Sequence, residues 1–291
     1  MRSGFIGLIG KANAGKSTLV NVLVGEKVAI TSPKPQTTRT TIMGVLTKAD
    51  YQLVFVDTPG IYKTMTYLGE VMKKSTEDTA KDVDFILYVV DGHEGISEDD
   101  IRLMKKYVCG KTPAAIAYTK IDIMPKERIA DDVVKISEAG IECDVFPVSA
   151  RTHTNTAKLE RYLASKMPEG EKVIEDDIVS DKGDRFMISE IMREKLLLKL
   201  NEEVPHGIGV VINKFELQDN DVYDINLDII CEKKNHKAII IGKEGKTLKE
   251  ISSFARKDME KYLGRKVFLT VYVRVEENWR SRPGLVKDII S

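Results

Sequence analysis

Apolar and polar positions change their rhythm partway along the chain. Up to about residue 150, short runs are apolar almost throughout: GFIGLIG, YQLVFVDT, VDFILYVVD, PAAIAYTK and CDVFPVSA. Runs of that length and kind predict strands buried on both faces. Helical spacing recurs between them at 16–25, 97–109, 126–138 and 155–166. Strand–helix alternation predicts an α/β domain with a mostly parallel sheet, whose ligands sit at the carboxyl ends of the strands. The alternation stops near Met167, and the next stretch, MPEGEKVIEDDIVSDKGDR, is polar and acidic with Pro and Gly. A helix-spaced segment (FMISEIMREKLLLKLNEEVP) follows, then two strand-like runs (GIGVVINKFELQ and VYDINLDIICE) around the turn DND. A second glycine loop, a helix near 247–263 and the strand RKVFLTVYVRV complete the pattern. The predicted order, helix–strand–strand–helix–GxxG–helix–strand, is that of a smaller α+β domain. The expected boundaries are a first domain at 1–167, a linker at 168–184, a second domain at 185–275 and a tail at 276–291.

Composition adds little until it is divided. The 291 residues are 42% apolar and 31% charged with a formal net charge of +0, as in an ordinary globular protein of about two domains. The three cysteines, Cys109, Cys143 and Cys231, are scattered and odd in number, which argues against a disulfide framework or a zinc site and for a reducing cytoplasm. No leader precedes FIGLIG, and no apolar run approaches the roughly 18 residues of a membrane span. Residues 231–287, however, hold 15 Lys and Arg against 7 Asp and Glu, an excess of +8. The neutral whole therefore conceals a basic C-terminal part suited to phosphate contacts.

The first glycine loop, GKANAGKS, fits G-x-x-x-x-G-K-[ST] between a strand and a helix. Gly10, Lys11, Ala12, Asn13, Ala14, Gly15 and the helix start at Lys16, Ser17 and Thr18 would cradle phosphate oxygens on backbone N–H groups. Lys16 is expected to reach the β- and γ-phosphates and the Ser17 hydroxyl to ligate Mg²⁺. Three further strand ends narrow the nucleotide. VFVDTPG supplies Asp57 for Mg²⁺ through water, Thr58 and Pro59, and Gly60, whose N–H is placed to meet the γ-phosphate. AYTKID supplies Asp122, which can accept hydrogen bonds from the guanine ring N–H and amine, a pattern adenine lacks; the stem of Lys120 covers the base. VSA supplies Ser149 and the Ala150 N–H for the base carbonyl. Four motifs in this order, each after an apolar strand, indicate hydrolysis of GTP to GDP; a P-loop kinase or ATPase is opposed by TKID.

Over residues 4–165 the motifs resemble those of the translation-factor-related GTPases. The usual fourth motif begins with Asn, where this chain has Thr119, whose shorter hydroxyl would replace one amide contact. PKPQTTRTT, residues 33–41, resembles the mobile TTR switch, in which the second Thr ligates Mg²⁺ in the GTP state. That implies Thr38, with Thr37, Thr40 and Thr41 as nearby competitors. Ile61 stands where many GTPases place a water-orienting Gln. The resemblance then implies catalysis by Lys16, Gly60, Thr38 and Asn13, the last holding K⁺ beside the phosphates; the other reading of Asn13 is a loop stabiliser.

The second loop, GKEG, lacks that spacing and the Ser or Thr for Mg²⁺. Gly242 and Gly245, with Ile241, Lys243, Glu244 and Lys246, form the GxxG signature of a KH domain, which clamps about four single-stranded nucleotides. The helix and strand that come first resemble the type II variant. Trp279 has two readings, a base-stacking residue or a packed tail residue. A TTR-type GTPase, an acidic linker and a KH domain together resemble the Era family over essentially the whole chain. That resemblance implies a GTP/GDP switch that binds the single-stranded 3′ end of 16S ribosomal RNA, assists maturation of the 30S subunit, acts as a monomer in the cytoplasm and associates peripherally with the cytoplasmic membrane. A different expectation is a tRNA-modification or signalling GTPase with a protein-binding C-terminal domain.

Overall fold

A computed structural model describes residues 1–62, 65–125 and 127–290. Lys126, the first residue of the helix predicted at 126–138, lies outside the described residues. The chain forms two compact units: Met1–Ala29, Thr38–Lys63 and Met72–Asp181 in one, and Ile30–Thr37, Thr64–Val71 and Lys182–Ser291 in the other.

The first unit is built on a six-stranded sheet. Its strands are β1 (Arg2–Ile9), β2 (Ile42–Thr47), β3 (Tyr51–Asp57), β4 (Phe85–Asp91), β5 (Ala114–Thr119) and β6 (Asp144–Pro147), in the spatial order β2-β3-β1-β4-β5-β6. Only the β2–β3 pair is antiparallel. The continuous apolar runs have the reason expected for them. On β4, Phe85, Leu87 and Val89 join the core beside Leu19, Val20 and Leu23 of α1 (Lys16–Val24) and Leu159 and Leu163 of α5 (Thr156–Lys166). Ile86, Tyr88 and Val90 join the opposite core, with Met104 and Tyr107 of α3 (Glu98–Tyr107) and Ile136 of α4 (Arg128–Glu138). Each apolar residue of β4 is thus buried whichever way it points. A further helix, α2 (Tyr67–Asp82), follows the DTPG motif. The register sets Leu8 opposite Asp57 and Asp91 opposite Thr119, so the motif-bearing strand ends share one edge of the sheet.

Residues 168–181, polar enough to read as a linker, lie along this unit. Val45 N–H donates to Val179 O at 2.8 Å. The buried Gln52 amide donates to Ile174 O and accepts from the N–H groups of Val173 and Ile174.

The second unit has a three-stranded sheet in the order β7-β8-β9. Strand β7 (Gly209–Leu217) is antiparallel to β8 (Val222–Cys231), and β8 is parallel to β9 (Lys266–Val275). Ile225, Leu227 and Ile229 of β8 pack with Ile188, Ile191 and Leu196 of α6 (Asp184–Lys199) and Ile251, Ala255 and Met259 of α8 (Lys246–Leu263). A short helix, α7 (Lys234–Ile241), runs into the GKEG turn. Of the two readings of Trp279, the observed one is the packed tail residue: it is fully buried, and its indole N–H donates to Gly207 O at 2.9 Å. The chain ends with α9 (Pro283–Ile290).

Candidate functional site

The first glycine loop owes its shape to close packing. A Cβ at Gly10 would lie 2.2 Å from Val89 O, and one at Gly60 would lie 2.5 Å from the Ala12 Cα. Asn13 and Gly15 take left-handed conformations, φ 63° and 89°. Gly15 is the N-cap of α1, so the free N–H groups of that helix start, at Lys16, Ser17 and Thr18, form an anion cradle. Lys16 is buried, and its ammonium donates to Gly10 O at 3.1 Å and Lys11 O at 2.9 Å. Burial lowers its pKa to about 8, partly countered by Asp57. Nucleotide phosphates would add to the anionic charge that Asp57 already supplies to this ammonium.

Three oxygen donors converge beside it. Ser17 Oγ donates to Asp57 Oδ2 at 2.5 Å and lies 2.7 Å from Thr38 Oγ1, which is 3.4 Å from the same carboxylate oxygen. Asp57 Oδ1 is buried with no hydrogen-bond partner. Burial raises this carboxyl to about 6 against the pull of Lys16, Ser17 and Thr38. A cluster of hard oxygen donors with an unsatisfied carboxylate fits Mg²⁺. Of the four competing threonines, Thr38 is the one brought to Ser17 and Asp57. Thr37 turns its hydroxyl to Lys34 O, and Thr41 pairs with Ser75.

At the base end, Ser149 Oγ donates to Asp122 Oδ1 at 2.7 Å, holding an exposed carboxylate in place. The Lys120 ammonium sits 2.5 Å from Asp91, which leaves its stem to lie over a base. Thr119 behaves differently from the base contact expected of it. Its buried hydroxyl lies 2.7 Å from Ala14 O and 2.9 Å from Val90 O, tying β5 to the loop after β1. Two other side chains point away from the cradle. Thr58 Oγ1 donates to Leu8 O, and Lys11 reaches Asp100, so what each offers the nucleotide is its backbone. Pro59 O accepts from Thr76 at 3.1 Å, and Ala150 lies partly buried beside Ser149. Asp100 and Ser97 carry no motif; the hint in the sequence is the helix-start pattern SEDD.

The second loop is a turn between two helices. Gly242 (φ 72°) closes α7 and Gly245 (φ 73°) opens α8, with Glu244 also left-handed at φ 53°. A Cβ at Gly242 would strike Thr247 Oγ1 at 2.1 Å, whereas one at Gly245 meets nothing within 4 Å. Lys243, Glu244 and Lys246 are exposed, Lys246 pairing with Glu244 at 3.0 Å, while Ile241 packs partly into the core. Exposed cations around a tight, Cβ-poor turn let a nucleic-acid backbone approach.

Fold and sites together define a GTP-hydrolysing P-loop enzyme joined to a KH domain. Residues 5–120 match the family described as 50S ribosome-binding GTPase, and residues 203–280 match the KH domain family. GTPase Era of Clostridium kluyveri is 43% identical over 289 residues, covering 99% of each chain. GTPase Era of Caldanaerobacter subterraneus subsp. tengcongensis is 44% identical over 291 residues, covering 99% of this chain and 97% of that one. Among solved structures, a variant of Aquifex aeolicus Era bound to GDP and AlF4⁻ superposes with a TM-score of 0.94 at 35% identity, covering 99% of both chains. A complex of Era with MgGDPNP and nucleotides 1506–1542 of 16S ribosomal RNA superposes with a TM-score of 0.95 at 35% identity, covering 99% of this chain and 98% of that one. The chain belongs to the Era family of GTPases.

Proposed function

We propose that this protein is a GTP-driven switch that binds the single-stranded 3′ region of 16S ribosomal RNA through its KH domain and assists assembly of the 30S subunit. The observation that carries the reading is the full-length likeness to Era caught with both MgGDPNP and that RNA. In this reading Lys16 and the N–H groups of the first loop hold the phosphates. Ser17, Thr38 and Asp57 hold Mg²⁺, which neutralises charge between the phosphates. Asp122, Ser149 and Ala150 select guanine. Ile241–Lys246 clamp the RNA. Asn13 holds K⁺ beside the phosphates; replacing K⁺ by Na⁺ is expected to slow turnover, and equal rates would leave Asn13 as a loop stabiliser. The GTPase domain extends over 1–167 and the KH domain over 185–275. The protein works as a cytoplasmic monomer. It associates with the cytoplasmic membrane peripherally; among the described residues no helix is long and apolar enough to cross one.

The switch segment supports coupling between nucleotide and RNA. Residues 30–37 belong to the second unit, gripped by α6. Arg193, itself paired with Glu190, donates to Thr37 O, and Glu194 accepts the Thr31 N–H at 3.0 Å. The next residue in the chain is Thr38, at the Mg²⁺ donors. Ordering of Thr38 by GTP therefore pulls directly on a segment that α6 holds, and reciprocity requires RNA to alter GTP affinity by the same factor.

Binding to an oligonucleotide copying the 3′ end of 16S ribosomal RNA, measured with GDPNP and with GDP, tests this. Tighter binding with GDPNP that Gly242→Asp abolishes is the expected result. Equal binding in both nucleotide states would remove the coupling, and no binding would remove the RNA reading and favour a protein-binding domain.

A further inference from the structure

The first glycine loop carries two lysines, and they face opposite ways. Lys16 is buried among the loop carbonyls. Lys11 instead leaves the loop: its ammonium lies 2.7 Å from Asp100 Oδ2 and 2.6 Å from Ser97 Oγ, 89 and 86 residues further along the chain. Asp100 is largely buried, and the same Oδ2 accepts the Ser97 N–H at 3.0 Å and the Ser97 hydroxyl at 2.5 Å. Ser97 and Asp100 form the capping box of α3. This helix start is thus both capped and tied to the loop.

Lys11 is a node in its own right. Its carbonyl accepts from the Lys16 ammonium at 2.9 Å. Its backbone bridges to Ile61, whose N–H donates to Gly10 O at 3.0 Å. Gly60 and Ala12 are packed too closely to leave room for a methyl group. Residues 10–12 and 60–61 therefore move as one piece, and that piece carries the acceptors of the Lys16 ammonium and the Gly60 N–H. A shift at Lys11 is a shift of both groups.

We propose that Asp100, acting with Ser97 through Lys11, is a positioning residue for GTP hydrolysis: it anchors the first glycine loop and the start of the DTPG switch to α3. The proposal rests on reading Gly10–Thr18 as the phosphate loop. Of the N–H groups that hold the phosphates, those at 16–18 lie on α1, beyond the anchored piece, so ground-state binding depends on that piece less than alignment at the γ-phosphate does. Alignment at the γ-phosphate depends on it directly, and a misplacement of about 1 Å there is enough to cost up to a hundredfold in rate.

The test is a double-mutant cycle in the full-length protein with GTP and Mg²⁺. Lys11→Gln and Asp100→Asn are each expected to lower kcat about fivefold to tenfold while KM moves less than about twofold, and the double variant to be no slower than either single one. Lys11→Arg, which keeps the ion pair, is expected to restore most of kcat. A helix-capping role alone would leave kcat of Lys11→Gln at the wild-type value, and that result overturns the proposal, as does a double variant slowed by the product of the two single effects. Lys11 is partly exposed, so Lys11→Gln remains readable even if Asp100→Asn folds poorly. Lys16→Ala separates the two levels: if it still binds GTP normally, the phosphate-loop reading has failed rather than the anchor.

Discussion

The two glycine loops use the same residue for different ends. In the first, glycine removes side chains so that backbone meets backbone: Gly10 lies against Val89 O and Gly60 against Ala12. The result is a closed cage, with a buried ammonium and a buried carboxylate acting on one another. In the second, Gly242 leaves room only for the Thr247 side chain, Gly245 supplies a left-handed turn with open space beside it, and the charges around the turn are in water. Groups in the cage act at low dielectric and are costly to disturb. Groups on the open turn are screened, and each contributes modestly. The difference suits their tasks: one site must hold a reacting phosphate still, the other must follow a flexible strand.

The largest expected effect comes from Lys16→Ala. It removes the one cation placed among the loop carbonyls and leaves Asp57 buried without it. Loss of about 10²–10³ in turnover is expected, by analogy with the removal of a preorganised donor at a reacting oxyanion. Steady-state hydrolysis measures it, and a loss of less than tenfold would mean the cage is less decisive than its burial implies. Next comes Thr119→Val. This near-isosteric change strips the hydroxyl from the carbonyls of Ala14 and Val90 and costs about 1–3 kcal/mol, since both acceptors are buried. Urea denaturation reads that cost. A near-zero value would show that the tie between β5 and the loop adds nothing to the cage.

How much of this was legible depends on whether a residue acts locally or across the chain. The strand ends announce themselves because the first three motifs directly follow runs buried on both faces, and the fourth follows the short, half-buried β6. The element order of the second unit is legible from its succession of helix-spaced and strand-like runs, although its strands are not buried on both faces. Helix α2 is not: in YLGEVMKKSTEDTAKD the buried hydrophobics at its start, Leu68 and Met72, give way to a polar, charged majority. Strand β2 is short and antiparallel at the sheet edge, beside a Thr-rich loop that masks its start. Residues 173–179 dock through backbone groups, with Gln52 supplying the matching amide, and through Val179 packed against the core, and the acidic run Glu175–Asp177 between these contacts masks them in the sequence. Lys11 with Asp100, and Arg193 with Thr37, join residues 89 and 156 apart, and no local pattern encodes such a pair.

Within the second loop the two glycines should differ. Gly242→Ala places a methyl group 2.1 Å from the Thr247 hydroxyl in a left-handed backbone, so the turn must rearrange. Gly245→Ala meets no neighbour and carries only the left-handed penalty, about 1–2 kcal/mol. RNA affinity is therefore expected to fall more in Gly242→Ala than in Gly245→Ala, and equal losses would show that packing against Thr247 is unimportant.

The smallest effect should come from the exposed lysines, and its signature is the salt dependence rather than the size of the loss. Lys243→Gln and Lys246→Gln each remove one charge from the turn, but Lys246 already shares its charge with Glu244 at 3.0 Å. An ammonium partly neutralised by its neighbour displaces fewer counterions from a phosphate. Lys243→Gln is thus expected to reduce the slope of log K against log salt by about 0.7, the single-strand value for one phosphate contact, and Lys246→Gln by less. Titrations of the 16S oligonucleotide at several salt concentrations separate the two. Should Lys246→Gln give the larger change, Glu244 must release its partner on binding, and the second loop would then rearrange around its ligand, unlike the cage of the first.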